Sequence, residues 1–145
     1  MRKSEESLSL TILNLAAGLD EDGLAVLGTL GARQFVAKGD CVVSKGADDD
    51  ALYGVLSGSI VVKSADGRLV SVLGQADSFG EIGFLTGCPR TADVFAQSDA
   101  ILLRLPGPGV RALLDDQPAI AARLYANVAR ELAARLTTTT EMALL

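Results

Sequence analysis

The sequence predicts a mainly β domain with flanking helices. Its centre is a β-roll barrel (jelly-roll-like, a double-stranded β-helix). N-terminal helices precede it, one short helix sits among the strands, and two helices come after it. Three observations predict this. Between Ala32 and Pro106, short runs rich in Val, Leu and Ile alternate with turns bearing Gly and Asp. The segments on either side space their apolar residues at helical intervals instead. Hydrophobic residues make up 49% of the chain but aromatics only 4%, with no Trp, so the core is one of Leu, Val, Ala and Ile. A length of 145 residues fits one domain.

The first zone, residues 1–31, is read as helical. Met1 to Ser7 is polar, and Leu8, Ile12 and Leu15 then recur at helical spacing before Gly18 stops the turn. Asp20 is placed to cap a second helix carrying Leu24, Leu27 and Leu30, which Gly31 ends. Neither helix is long enough to stand alone, so both should pack on the rest of the domain.

The second zone, residues 32–106, holds the strands. The runs are Arg33–Val36, Cys41–Ser44, Ala51–Ser57, Ser59–Ser64, Leu69–Leu73, Ala92–Gln97 and Ala100–Leu105. Lys38-Gly39-Asp40, Ser57-Gly58 and Asp66-Gly67 are tight-turn sequences, and Ser57-Gly58-Ser59 lies between two apolar runs as a hairpin requires. So many short strands suggest a sandwich or barrel.

The third zone, residues 107–145, returns to helix. Gly107 to Leu114 should turn Val110, Leu113 and Leu114 inward. Pro118 suits a first helical turn. From Ala119 to about Leu136, Ile120, Leu124, Val128, Leu132 and Leu136 recur every four residues, with Ala121, Ala129 and Ala133 alongside. The run Thr137–Thr140 should weaken the end, because β-branched residues favour helix less. The apolar end Met142–Leu145 hints at a partner contact, and a long apolar helix can pair with a copy of itself as a homodimer.

Charge and composition exclude several classes. A net charge of −5 disfavours nucleic acid and anionic membrane surfaces. There is no signal peptide and no apolar run of about 18 residues, which points to a soluble chain. Cys41 and Cys88 match no metal-site or CxxC spacing and read as free thiols in a reducing, cytoplasmic compartment. The chain has no histidine, so a serine–histidine or cysteine–histidine nucleophile cannot be built, and the usual zinc and iron sites lose their main ligand. An enzymatic reading would need acids converging inside the roll, and the inferred inward positions are almost all apolar. The chain is read as not an enzyme and as needing no metal or cofactor.

The chemistry concentrates between Phe79 and Ala92, Phe-Gly-Glu-Ile-Gly-Phe-Leu-Thr-Gly-Cys-Pro-Arg-Thr-Ala. Glu81 stands at the start of a short helix and Arg90 just beyond its end. Gly80, Gly83 and Gly87 let the backbone come close to a bound group. Arginine offers a planar fork of donors that matches a phosphate, and the first N–H groups of a helix attract the same anion. A carboxylate among them needs its own partner, and a sugar hydroxyl is a natural one. The set reads as a site for a sugar phosphate. The plainer readings are a surface arginine and a glutamate that only steadies a helix start, worth about 0.3–1 kcal/mol.

This stretch resembles the phosphate-binding cassette of cyclic nucleotide-binding domains, whose pattern is Phe-Gly-Glu, a short helix, then Arg-Thr-Ala or Arg-Ser-Ala. The resemblance extends from about Leu10 to Leu136, through Lys38-Gly39-Asp40, Gly46, Asp48 and the Tyr53–Val62 hairpin. It implies a ligand, cAMP or cGMP. Glu81 would accept from the ribose 2′-hydroxyl and Arg90 would pair with the cyclic phosphate. Phe79, Gly80, Glu81, Ile82, Arg90, Thr91 and Ala92 would form the binding cassette. Val62 and Leu73 would touch the base, and Thr91 leaves cGMP open. Arg123, Arg130 and Arg135 read as solvated or salt-bridged rather than as caps on the base. The resemblance further implies a regulatory sensor that relays binding through its C-terminal helices to an effector protein or domain, with no room for a DNA-binding domain after the long helix. The alternative is an interaction or structural module that keeps the fold without the ligand. On the first reading, Arg90→Ala should lower affinity while leaving the fold intact.

Overall fold

The computed structural model describes residues 10–64 and 66–144, with side chains described as far as Thr137. The strands are β1 Ala32–Val36, β2 Cys41–Val43, β3 Leu52–Ser57, β4 Ile60–Lys63, β5 Leu69–Leu73, β6 Ser78–Phe79, β7 Asp93–Ala96 and β8 Ala100–Leu105. The helices are α1 Glu21–Leu30, α2 Glu81–Thr86, α3 Gly107–Asp116 and α4 Pro118–Leu144, preceded by one 3-10 turn at Asn14–Ala16. Each run expected to be a strand is one, with ends moved by at most a single residue. The short strand β6 was not foreseen, because two residues carry no alternation to read.

The strands form two antiparallel four-stranded sheets, in the orders β1-β8-β3-β6 and β2-β7-β4-β5. The roll expected from the sequence is formed, as two facing sheets that do not close into a barrel. The sheets meet through side chains. Val36, Tyr53, Val55 and Leu102 of the first pack with Val43, Ile60, Leu73 and Val94 of the second. The opposite face of the first sheet, through Leu52, Leu56, Leu103 and Leu105, packs against Leu13, Leu24, Leu27, Val110, Leu124 and Val128 of the helical segments. Strand β3 is thus covered on both faces, which explains its unbroken apolar run, buried as far as Leu56. At about 25 cal/mol per Å² of apolar surface removed from water, these two layers are the main source of stability.

The helical ends depart from expectation in four places. Leu8 lies outside the described residues. Leu10 is helical, a turn follows it, the 3-10 turn comes next at Asn14–Ala16, and Ile12 is exposed, so no regular helix links Ile12 to Leu15. In α1 the Asp20 carboxylate accepts from the Gly23 N–H at 2.8 Å, as the cap requires. In α3, Val110 and Leu113 are buried but Leu114 is 52% exposed. One residue beyond Leu113 the helix has turned by about 100°, away from the sheet. In α4, Ala121, Leu124 and Val128 are buried, whereas Ala129 and Ala133 are exposed and Leu136 is 67% exposed. A four-residue spacing advances about 40° per step on a helix of 3.6 residues per turn, so a stripe starting at Ile120 rotates out of the interface before Leu136. The helix also continues through the threonine run to Leu144. The Thr137 hydroxyl donates to the Ala133 carbonyl at 2.9 Å, which suits a β-branched residue within a helix. The side chains of Met142–Leu145 lie outside those described.

Candidate functional site

The site is built where β6, α2 and the loop to β7 cross the open side of the second sheet. Phe79 stacks on Tyr53 with ring centroids 4.7 Å apart and planes 1° from parallel, which fixes β6 against β3. The chain then turns at Gly80, whose φ is +89°. A Cβ there would stand 2.6 Å from the Ala51 carbonyl oxygen and 3.0 Å from Nη1 of Arg90, so only glycine fits. Helix α2 runs from this turn and ends at Gly87. The loop after it is held by its backbone, since Arg90 N–H donates to the Ala47 carbonyl at 2.9 Å and Gly46 N–H to the Arg90 carbonyl at 2.7 Å.

Arg90 is buried, with 7% of its surface exposed. Its Nη1 donates to the Gly80 carbonyl at 2.9 Å and its Nη2 to the Ala51 carbonyl at 2.6 Å. Asp49 Oδ2 lies 3.7 Å from Nη2. The Nε of Arg90 is buried with no hydrogen-bond partner among the described residues. Asp49 also accepts from the Tyr53 hydroxyl at 2.9 Å and from Arg104 Nη2 at 3.1 Å. Burial alone would raise its pKa, but the Ala51 N–H, the Tyr53 hydroxyl and the two arginines outweigh this and lower it. Burial, with Asp49 beside it, raises the pKa of Tyr53.

Glu81 is 3% exposed. Its Oε1 accepts from the Ser78 hydroxyl at 2.8 Å and from Arg135 Nη1 at 3.0 Å. Arg135 reaches in from α4 and also contacts Oε2 of Glu131, one turn earlier, at 3.3 Å. Burial pushes the Glu131 carboxyl above its usual range, and the Glu81 charge adds to this, although Ser78 and Arg135 pull the other way.

Glu81, Arg90 and Arg135 border a cavity of about 270 Å³. Phe79, Gly80, Glu81 and Ile82 form one wall, and Arg90, Thr91 and Ala92 a second. Val62 and Leu73, on neighbouring strands of the second sheet, form part of the third. All nine residues singled out from the sequence thus border one space. Thr91 and Ile82 are exposed at its rim. Sequence reasoning missed Val43 and Val94, which face each other in register on β2 and β7, and Ser71 on β5. It also missed the inward reach of Arg135. The i, i+4 pair Glu131 and Arg135 was the available signal, because such a pair marks one helix face.

A cation with an unused buried donor, a buried carboxylate nearby and an apolar wall opposite suit a small anion that carries a hydroxyl and a flat ring. The comparisons agree. The family model described as "Cyclic nucleotide-binding domain" matches residues 33–117, and the chain belongs to that family. It is 33% identical over 132 residues to Glutaminase 2 of Bradyrhizobium diazoefficiens, a match covering 91% of this chain and 21% of that protein. It is 28% identical over 99 residues to the CRP-like cAMP-activated global transcriptional regulator of Mycobacterium tuberculosis, covering 66% of this chain and 44% of that one. The chain therefore spans less than half the length of either relative. The crystal structure of a cyclic nucleotide-binding domain from Methylobacillus flagellatus superposes with a TM-score of 0.85, at 18% identity, over 99% of this chain and 83% of that chain, a likeness of fold. Among the described residues no helix is long and apolar enough to cross a membrane.

Proposed function

We propose that the domain is a sensor for a cyclic purine nucleotide, cAMP in preference to cGMP, and that binding is relayed through α3 and α4 to an effector. One observation carries this reading. Arg90 lines the cavity, and its Nε is buried without a partner among the described residues, which is costly unless a ligand takes it. A cyclic phosphate would accept from Nε and a neighbouring Nη, while both carbonyl contacts of Arg90 persist. The ribose 2′-hydroxyl would donate to Oε2 of Glu81, since the hydrogen bonds to that carboxylate from Ser78 and Arg135 use Oε1. The base would lie on Val62 and Leu73. Guanine adds an amino group and a carbonyl that need partners, and among the described residues lining the cavity only Ser71 and Thr91 carry hydroxyls. The name of the M. tuberculosis relative, cAMP-activated, supports the same order.

Two arginines support the relay. Arg135 ties α4 to Glu81. Arg111 of α3 pairs with Asp50 and lies over the Phe84 ring of α2, 5.5 Å from its centroid. A shift of α2 would therefore be felt by both C-terminal helices, which is a population shift between two packings. The effector, pairing of α4 with a second copy, and residence in the cytoplasm belong to this proposal. The two exposed free thiols, Cys41 and Cys88, fit a reducing compartment.

The role of Glu81 is tested with 2′-deoxy-cAMP. The unaltered chain should bind it about tenfold or more weakly than cAMP, because a hydrogen bond to a charged group is lost. Glu81→Ala should bind the two alike. Equal affinity of the unaltered chain for both nucleotides would contradict the assignment.

A further inference from the structure

Three side chains take the three polar groups of Ser78. Its N–H donates to Oε2 of Glu131 at 3.1 Å, its carbonyl accepts from Nη2 of Arg135, and its hydroxyl donates to Oε1 of Glu81 at 2.8 Å. Ser78 is fully buried and lies in β6, one of the two edge strands of the first sheet. Glu131 and Arg135 stand one helical turn apart on α4 and contact each other. Together they offer the edge residue an acceptor and a donor, as a neighbouring strand would.

The cluster is made at a cost. Oε1 of Glu131 is buried with no hydrogen-bond partner among the described residues. Two carboxylates, Glu81 and Glu131, share the one guanidinium of Arg135. Packing does not require this arrangement, because Leu124 and Val128 already hold α4 on the sheet. What the cluster fixes is the placement of Ser78 and Arg135, and these are the two residues that hold Oε1 of Glu81.

We infer that Glu131 is a positioning residue for nucleotide binding, setting the orientation of the Glu81 carboxylate through the Ser78 backbone and Arg135. The inference rests on the proposed function, where Glu81 receives the ribose hydroxyl. Glu131 does not border the cavity and acts only through these two neighbours. Its loss should therefore be felt only by ligands that use Glu81.

The test measures dissociation constants for cAMP and 2′-deoxy-cAMP with the unaltered chain, Glu131→Ala and Glu131→Gln. Glu131→Ala should weaken cAMP at least fivefold and leave 2′-deoxy-cAMP within twofold. Glu131→Gln keeps an acceptor for the Ser78 N–H and should recover most of the cAMP affinity. A purely structural role would weaken both nucleotides equally in Glu131→Ala, and that result, or unchanged cAMP affinity, overturns the inference while leaving the sensor reading in place. An unaltered chain that binds no cyclic nucleotide overturns both.

Discussion

The carbonyl of Gly80 accepts a hydrogen bond from Nη1 of Arg90 at 2.9 Å. The residue that opens α2 and the arginine beyond its end are therefore joined directly, and Nη2 extends the link to the Ala51 carbonyl on the way into β3. Arg90 is at once the cation of the cavity and an internal brace of the fold. This alters the expectation that its removal would leave the fold intact. Arg90→Ala removes both hydrogen bonds; the Gly80 carbonyl keeps the Phe84 N–H at 3.1 Å, but the Ala51 carbonyl loses its Nη2 donor, which costs about 1–3 kcal/mol if left unsatisfied. Melting temperature should fall by several degrees, and affinity should fall tens- to several-hundredfold. Arg90→Lys keeps a charge and donors without the planar fork, so it should recover melting temperature more than affinity. Calorimetric melts and titrations of both variants check this. Equal recovery of the two quantities would contradict the double role.

Gly80→Ala should be among the most damaging single-methyl changes in the chain. The new Cβ would stand 2.6 Å from the Ala51 oxygen, in a backbone region that L-residues rarely adopt. A loss of more than about 1 kcal/mol is expected, read as a lower denaturant midpoint. Gly39 also has a positive φ, but nothing lies within 4 Å of its Cβ position, so Gly39→Ala should cost less. Reversal of that order would count against the geometry.

Asp49 supplies a pH signature. Its pKa lies below the ordinary carboxylate value, so its contribution to stability is present above the unfolded pKa, about 3.9. It is lost as pH falls through the lower folded value. Asp49→Asn removes the ion pairs with Arg90 and Arg104. The variant should melt lower than the unaltered chain at pH 7, and the gap should narrow below about pH 4 as the native carboxylate is neutralised. A gap that stays constant down to pH 3 would show that charge is not the cause.

The strands, their turns and the Glu81/Arg90 motif were legible because each is written in contiguous residues. Short runs rich in Val, Leu and Ile mark the strands, Gly39 and Gly58 mark turns, and Phe79 to Ala92 carries its chemistry in one stretch. What was illegible depends on distance in the fold. Asp49 sits in an acidic run, Asp48-Asp49-Asp50, that reads as a solvated loop until β3 and β8 bring Arg104 beside it. Ser78 has no local pattern, and its role appears only when α4 crosses the end of β6. Leu114 and Leu136 were misplaced because a helix face was read without tracking its rotation. Arg135 reads as solvated or salt-bridged, and it pairs with Glu81 and Glu131, but sequence cannot say which end of a long helix covers a cavity.

The central claim, that this chain senses a cyclic nucleotide, is tested most directly by calorimetric titration with cAMP and with cGMP, after confirming that no nucleotide co-purified. The account predicts micromolar or tighter binding, with cAMP the tighter of the two. Absence of heat and of thermal stabilisation with both ligands would contradict it, and would leave the interaction-module reading for the same fold.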